Sequence, residues 1–355
     1  MRESGGCSIA SGGRRVRRAA VPPIRRTSVV LTAVVAVLVA GCGSGSDSDS
    51  STDAAESGAA AVSSSRAGAG GAAGPVERLD EITVHRIDYP TRGTRDPQQN
   101  WGEFYLPAGD QKVDTIPLVV LIHGGSWKSK LDAGTMRPYA MDLAKRGMAV
   151  YNIEYRRVGS GGGFPTTFTD VADALDHVVE IDKKYPQITT DDELVVGHSA
   201  GAQLAMWSGT RNELNPNEVG ANPKFRPTRV VSLAGPLDMV YAAHHGNDRI
   251  VTVLGGTPEQ VPQRYASVDP IQNIDPTMPV IAVHGNKDTL VPPILSERYI
   301  DAVERRKGIG DLVIADGEDH VSIVSSNSRV YPKILDIITD ASGKTIDQLE
   351  DLYNS

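Results

Sequence analysis

The sequence predicts an α/β domain: a mostly parallel central sheet with helices on both faces and a small cap-like insertion. Three observations carry that prediction. Short apolar runs alternate with helical patterns from about residue 80 onward. Most of those runs are continuously apolar, as strands buried on both faces must be. Between one of them and a helix lies Gly197-His198-Ser199-Ala200-Gly201, a G-x-S-x-G pattern. A serine there is forced into a sharp turn that lifts its hydroxyl above the sheet edge, and small flanking residues let the backbones pass.

Before that domain come two other segments. Residues 1–41 begin with Arg14, Arg15, Arg17, Arg18, Arg25 and Arg26, then run apolar from Val29 to Ala40 with only Thr32 intervening. A membrane-spanning helix needs about 20 apolar residues. A basic start, a short apolar run and a small-residue exit are the plan of a secretory signal. Leu38-Val39-Ala40-Gly41-Cys42 resembles the lipobox of bacterial lipoproteins. That resemblance implies a lipidated Cys42 as the new N-terminus, and a protein anchored to the bacterial membrane outside the cytoplasm. Residues 42–75 are mostly Ser, Gly, Ala and Asp and cannot bury enough apolar surface to offset chain entropy, so they read as a flexible tether.

Cysteine and charge narrow the chemistry. The two cysteines are Cys7 and Cys42, so the domain at 76–355 has no thiol. A disulfide, a zinc–thiolate site and a cysteine nucleophile are excluded there. The chain carries a formal charge of −8, and without residues 1–41, which hold seven Arg and one Glu, about −14. An acidic domain argues against nucleic acid and against an electrostatic membrane patch.

Within the domain, Ile82–Ile87 and Gly102–Leu106 alternate apolar and polar residues, like antiparallel strands near an edge. Pro117–Ile122, Met148–Ile153, Leu194–Val196, Val230–Leu233, Val280–Val283 and Leu312–Ile314 read as buried strands. Helices are expected at Arg137–Lys145, Phe168–Val179 and Leu295–Arg306, the second from its i, i+3, i+4, i+7 spacing. Pro236–Pro279 shows no clean period. A stretch that long is usually functional, and it reads as a cap beside the active site. Its Met239, Val240, Tyr241, Ile250, Val253 and Leu254 are candidates to line an acyl pocket, or simply to seal the segment onto the sheet.

A serine hydroxyl needs a base, and the base needs a carboxylate to fix its tautomer. His320 follows the last strand pattern and is the expected base. Asp288, in the loop after Val280–Val283, is the expected acid, because in this arrangement the order runs Ser, Asp, His. His284 at the end of that strand is a second, weaker candidate for the base. Asp316, Glu318 and Asp319 read as a solvated turn, and His244 and His245 as a solvated or substrate-adjacent pair. Oxyanion donors are expected from the Ala200 N–H and from His123-Gly124-Gly125-Ser126-Trp127, through Gly125 or Ser126. His123 is expected to brace that loop and Trp127 to pack.

Together Leu121–Trp127, Asn152–Arg157, Gly197–Gly201, the Asp288 loop and His320 resemble the esterase/lipase-type α/β-hydrolases, on the feruloyl-esterase-like and kynurenine-formamidase-like side. The resemblance covers about residues 82–340. Ser126 departs from the His-Gly-Gly-Gly loop of such esterases. Tyr155-Arg156-Arg157 departs from the Tyr-Arg-Leu-Ala-Pro-Glu run of hormone-sensitive-lipase relatives. The resemblance implies the α/β-hydrolase fold, no cofactor, no metal, and a small-molecule ester or amide as substrate. It leaves three functions: a carboxylesterase, an amidase such as an arylformamidase or small aminoacyl-peptidase, and a non-catalytic surface lipoprotein on a hydrolase scaffold.

Overall fold

A computed structural model describes residues 76–79 and 81–353. The signal, the tether and Cys42 lie outside the described residues. The chain enters through β1 (Val76–Leu79), β2 (Ile82–Asp88) and β3 (Trp101–Pro107), then β4 (Ile116–Ile122). Helix α1 (Arg137–Lys145), β5 (Ala149–Ile153), α2 (Thr166–Asp176), α3 (Val178–Lys184), β6 (Ile188–His198) and α4 (Ala200–Ser208) follow. Then come β7 (Arg229–Leu233), α5 (Met239–His244), α6 (Asp248–Leu254), α7 (Pro262–Val268), β8 (Val280–Gly285) and α8 (Ile294–Arg305). Strand β9 (Gly310–Ala315) and helices α9 (Tyr331–Ala341) and α10 (Ile346–Tyr353) complete the described residues.

Among the described residues the strands form one sheet, in the order β1-β2-β3-β5-β4-β6-β7-β8-β9. The first three strands pair antiparallel, as does β3 with β5; every pairing from β5 to β9 is parallel. This is the α/β-hydrolase fold. Strands β5 and β8 are wholly buried, while β2 mixes buried Ile82, Val84 and Ile87 with half-buried and exposed residues. That contrast follows from position: helices cover both faces of the centre, whereas the antiparallel edge keeps one face partly open. Successive residues of β4 feed opposite cores. Leu118, Val120 and Ile122 pack with α2, α4 and α8 side chains such as Phe168, Leu204 and Tyr299. Val119 and Leu121 pack on the other face with Tyr139, Leu143, Ile334 and Ile338.

The order of the central strands sets the site. The chain leaves β4, makes β5 on one side, and returns to place β6 on the other. The loops after β4 and β6 therefore diverge from neighbouring strands, and the crevice between them is where such sheets bind ligands.

Two expectations change. The helix read through Val179 is broken at His177 into α2 and α3. Asp176, the last residue of α2, turns inward to Arg211 Nη2 at 3.0 Å and to the Lys224 N–H at 3.0 Å. The segment 236–279 is three short helices and a 3-10 turn. Its Met239, Ile250, Val253 and Leu254 are fully buried in the core that also takes Leu118, Val120 and Ile122. They seal the segment down and are not the lining of an open acyl pocket; Val240 and Tyr241 remain half-buried.

Candidate active site

The turn at Ser199 is made by backbone contacts. Strand β6 ends at His198 and α4 begins at Ala200, so Ser199 alone reverses the chain, with φ 57° and ψ −120°. A non-glycine residue held there costs about 1–3 kcal/mol, which the surroundings must offset. The glycines show how close those surroundings are. A Cβ on Gly197 would lie 2.1 Å from the Gly201 carbonyl oxygen, and one on Gly201 would lie 2.0 Å from that of Ile122. The Ser199 N–H donates to the Leu233 carbonyl at 2.9 Å, tying the turn to β7.

His320 reaches this serine from the loop after β9. Its Nε2 is 2.8 Å from Ser199 Oγ and its Nδ1 is 2.7 Å from Asp288 Oδ2. The geometry assigns Nδ1–H as donor to the carboxylate and Nε2 as acceptor of the serine proton. Asp288 Oδ1 accepts from the N–H groups of Leu290 at 2.9 Å and Val291 at 2.8 Å. Burial alone would raise this carboxyl, but hydrogen bonds from His284, His320 and the Val291 N–H hold it well below the usual carboxylate range.

His284 does not reach the serine. Its Nδ1 meets Ser296 Oγ at 2.7 Å, and its Nε2 donates to the Val291 carbonyl at 2.7 Å while lying 3.3 Å from Asp288 Oδ2. It steadies the acid loop. Asp319 is spent on the N–H groups of Val321 and Ser322, and His244 on Glu259.

The loop after β4 faces the serine. A Cβ on Gly124 would be 3.1 Å from Ser199 Cβ. The next three residues all have positive φ: Gly125 at 115°, Ser126 at 57° and Trp127 at 54°. Ser126 thus adopts the left-handed conformation that a glycine takes without penalty. Among the described residues the N–H groups of Gly125 and Ser126 have no hydrogen-bond acceptor. Ala200 opens α4, so its N–H has no carbonyl one turn back. These three donors are free to meet a ligand.

Behind the loop, His123 is fully buried, with Nδ1 donating to the Gly124 carbonyl at 2.7 Å and Nε2 accepting from Arg157 Nη1 at 3.0 Å. Arg157 also pairs with Glu154, which takes the Ala133 N–H at 2.9 Å. Tyr155 Oη donates to the His123 carbonyl at 2.8 Å. The Glu154–Arg157 run therefore clamps the loop from below.

Two contacts were not foreseeable from the motif. His198 Nε2 donates to the His320 carbonyl at 2.9 Å, linking the nucleophile turn to the base loop. Burial and the neighbouring His320 push His198 down to about 4, so the ring is neutral near pH 7. Gln203, one turn along α4 and fully buried, accepts from Trp127 Nε1 at 3.2 Å and donates to the Val268 carbonyl at 2.7 Å. Helical spacing from Ser199 was the available signal for it, but spacing does not identify a partner. Among the described residues no group of three or more His, Cys, Asp or Glu is placed to hold a metal ion.

A model of the BD-FAE family matches residues 103–302, a stretch that contains Ser199 and Asp288 and stops short of His320. A probable isoprenylcysteine alpha-carbonyl methylesterase of Oryza sativa subsp. japonica is 22% identical over 240 residues, 62% of this chain and 54% of the relative. The chain thus spans about half the length of that curated relative. A bifunctional GH43-CE protein of Bacteroides eggerthii superposes with a TM-score of 0.60 at 25% identity, over 73% of this chain and 38% of that one. Esterase B of Lactobacillus rhamnosis gives 0.61 at 16% identity, over 79% and 92%. Thermogutta terrifontis esterase 2, phosphonylated by sarin, gives 0.55 at 19%, over 79% and 95%.

Proposed function

The chain belongs to the BD-FAE family, a family of α/β-hydrolase esterases, and from that premise we propose that it cleaves carboxylic esters through an acyl-enzyme on Ser199. The observation that carries this reading is the unbroken hydrogen-bonded line from Ser199 Oγ through His320 to Asp288. Ser199 Oγ attacks the ester carbonyl as its proton passes to His320 Nε2. The oxyanion is met by the N–H groups of Ala200 and of Gly125 or Ser126. The tetrahedral intermediate collapses, the bond to the alcohol oxygen breaks, and His320 returns the proton to that oxygen. Water then repeats the sequence on the acyl-enzyme and frees the acid. Asp288 stays ionised throughout and stabilises the imidazolium.

A fluorophosphonate probe and a substrate panel test this. The wild type is expected to gain the probe's mass at Ser199 and to hydrolyse nitrophenyl esters faster than aminoacyl anilides or N-formyl aromatic amines. Ser199→Ala is expected to lose labelling, with kcat down on the order of 10⁴-fold or more. A wild type that neither labels nor turns over an ester is not an esterase, and one that prefers the amides is an amidase on the same three residues.

We further propose that Cys42 anchors the protein outside the cytoplasm. The support is Leu38–Cys42 and the small-residue stretch after it. Mass spectrometry of the membrane fraction should show lipid on Cys42, and Cys42→Ser should release active enzyme. An unmodified wild-type cysteine overturns the proposal.

A further inference from the structure

Asp288 lies between two serine–histidine arms. On one side His320 Nδ1 is 2.7 Å from Oδ2, and its Nε2 is 2.8 Å from Ser199 Oγ. On the other, His284 Nε2 is 3.3 Å from the same Oδ2, and its Nδ1 is 2.7 Å from Ser296 Oγ. The first arm ends at the nucleophile and the second in the core. His284, in β8, and Ser296, in the first turn of α8, are both fully buried. Ser296 is therefore no second nucleophile.

The partners of the second arm fix its protons. His284 Nε2 is 2.7 Å from the Val291 carbonyl oxygen, which can only accept, so Nε2 carries a proton. The buried Ser296 hydroxyl needs an acceptor, and among the described residues its side-chain partner is His284 Nδ1. Nδ1 is then bare and the ring is a neutral Nε2–H imidazole. Its proton serves two oxygens. It points at the Val291 carbonyl, and Val291 donates its own N–H to Asp288 Oδ1 at 2.8 Å. The ring thus fixes the loop that brings the acid its backbone donors. The 3.3 Å contact with Oδ2 is long for a hydrogen bond. It acts electrostatically, and burial of both groups shields it from water.

We propose that His284 is a positioning residue of this site: it holds the Asp288 loop, meets part of the Oδ2 charge, and so sets the pH above which His320 accepts the Ser199 proton. This role rests on the esterase reading. A carboxylate whose charge is partly met elsewhere holds an imidazolium less tightly, and His320 must be neutral to act as a base. The other titratable groups that face Asp288 are His320 and Asp319 in the loop after β9 and His198 at the end of β6, while α8 offers the neutral Ser296. Among these side chains, His284 touches Asp288 from the side away from the substrate.

Two variants of nearly equal shape test this. His284→Gln keeps an N–H donor on an unbranched side chain, and His284→Met removes it. In His284→Met the acid limb of kcat/KM for a nitrophenyl ester is expected to move up by about one pH unit, and in His284→Gln to stay within about 0.3 unit of the wild type. A lower plateau with an unmoved limb, or equal movement in both variants, overturns the proposal, because a merely structural loss would do either. The wild-type protein gives a second measurement should His284→Met fail to fold. Nitrogen-15 NMR of labelled histidines is expected to show His284 protonated at Nε2 and bare at Nδ1 near pH 7. A bare Nε2, or protons on both nitrogens, overturns the arm. NMR titration of His320 in the wild type and the variants reads the same shift without turnover. That shift in a protein that hydrolyses no ester supports the positioning role and sinks the esterase reading alone; ester hydrolysis without the shift does the reverse.

Discussion

The acid loop and the oxyanion loop both follow buried parallel strands, and they use their backbones in opposite ways. In the acid loop the donors that face Asp288 are spent on its carboxylate. Asp288 takes two backbone N–H groups and His320, with His284 alongside, and is buried. In the oxyanion loop the N–H groups of Gly125 and Ser126 are unspent, half-exposed, and held there by three successive positive-φ residues. The first loop stores a permanent charge, so its solvation is complete before a substrate arrives. On the proposed mechanism the second serves a charge that exists only in the transition state, so its donors must wait unsatisfied, and the strain is the cost of fixing them in advance.

The comparison can be broken most sharply at the acid loop. Asp288→Asn keeps the shape but removes the charge and offers His320 a donor where it needs an acceptor. Steady-state kinetics should show kcat falling about 10³–10⁴-fold. A loss below tenfold would mean that Asp288 does not orient the base. On the other side, Gly201→Ala puts a methyl group 2.0 Å from the Ile122 carbonyl and 2.5 Å from that of His123, at the root of the oxyanion loop. Chemical denaturation should register a loss of about 3 kcal/mol; a loss under 1 kcal/mol would show that the backbones can part.

A gentler change sharpens the contrast. Gln203→Met removes the acceptor of Trp127 Nε1 while keeping the volume. If Trp127 holds the unspent donors in place, kcat should drop about tenfold with KM little changed, since only the transition state uses those donors. A rise in KM at constant kcat would instead make Gln203 a substrate-binding support.

His198 ties the Ser199 turn to the His320 loop and gives the smallest effect. Its folded pKa is about 4, below the ordinary histidine value of 6.5. Between those values the unfolded chain binds a proton that the folded chain refuses, so stability is full above about pH 6.5 and declines as pH falls toward 4. In His198→Leu the slope of Tm against pH over that window should flatten. An unchanged slope would assign it to other groups.

Much of this was readable in advance where chemistry and local geometry coincide. Ser199 sits in a motif whose spacing is set by backbone clearance, and Asp288 and His320 lie in the loops after successive strands. The contacts that make those residues work were not readable. His198 with His320, and Gln203 with Trp127, join residues 122 and 76 positions apart, and no local pattern encodes such a pairing. The segment 236–279 looked aperiodic because α5, α6 and α7 have only six or seven residues each, under two turns of a 3.6-residue period. Helices α9 and α10 went unread although they carry Ile334, Ile338 and Leu349 into the second core.

The contacts around Ser199 also set where the enzyme is free to change. Gly124, Gly197 and Gly201 meet main-chain oxygens at less than 3 Å from any added Cβ, and a main chain has no smaller side chain to offer in compensation. A library randomised at these three positions should return glycine almost without exception, whatever the selection. Tyr241, Arg249, Thr289 and Leu290 meet no such barrier, being half-buried or exposed. Sequence variation should therefore be tolerated at such positions, against a Ser199 turn that tolerates no drift.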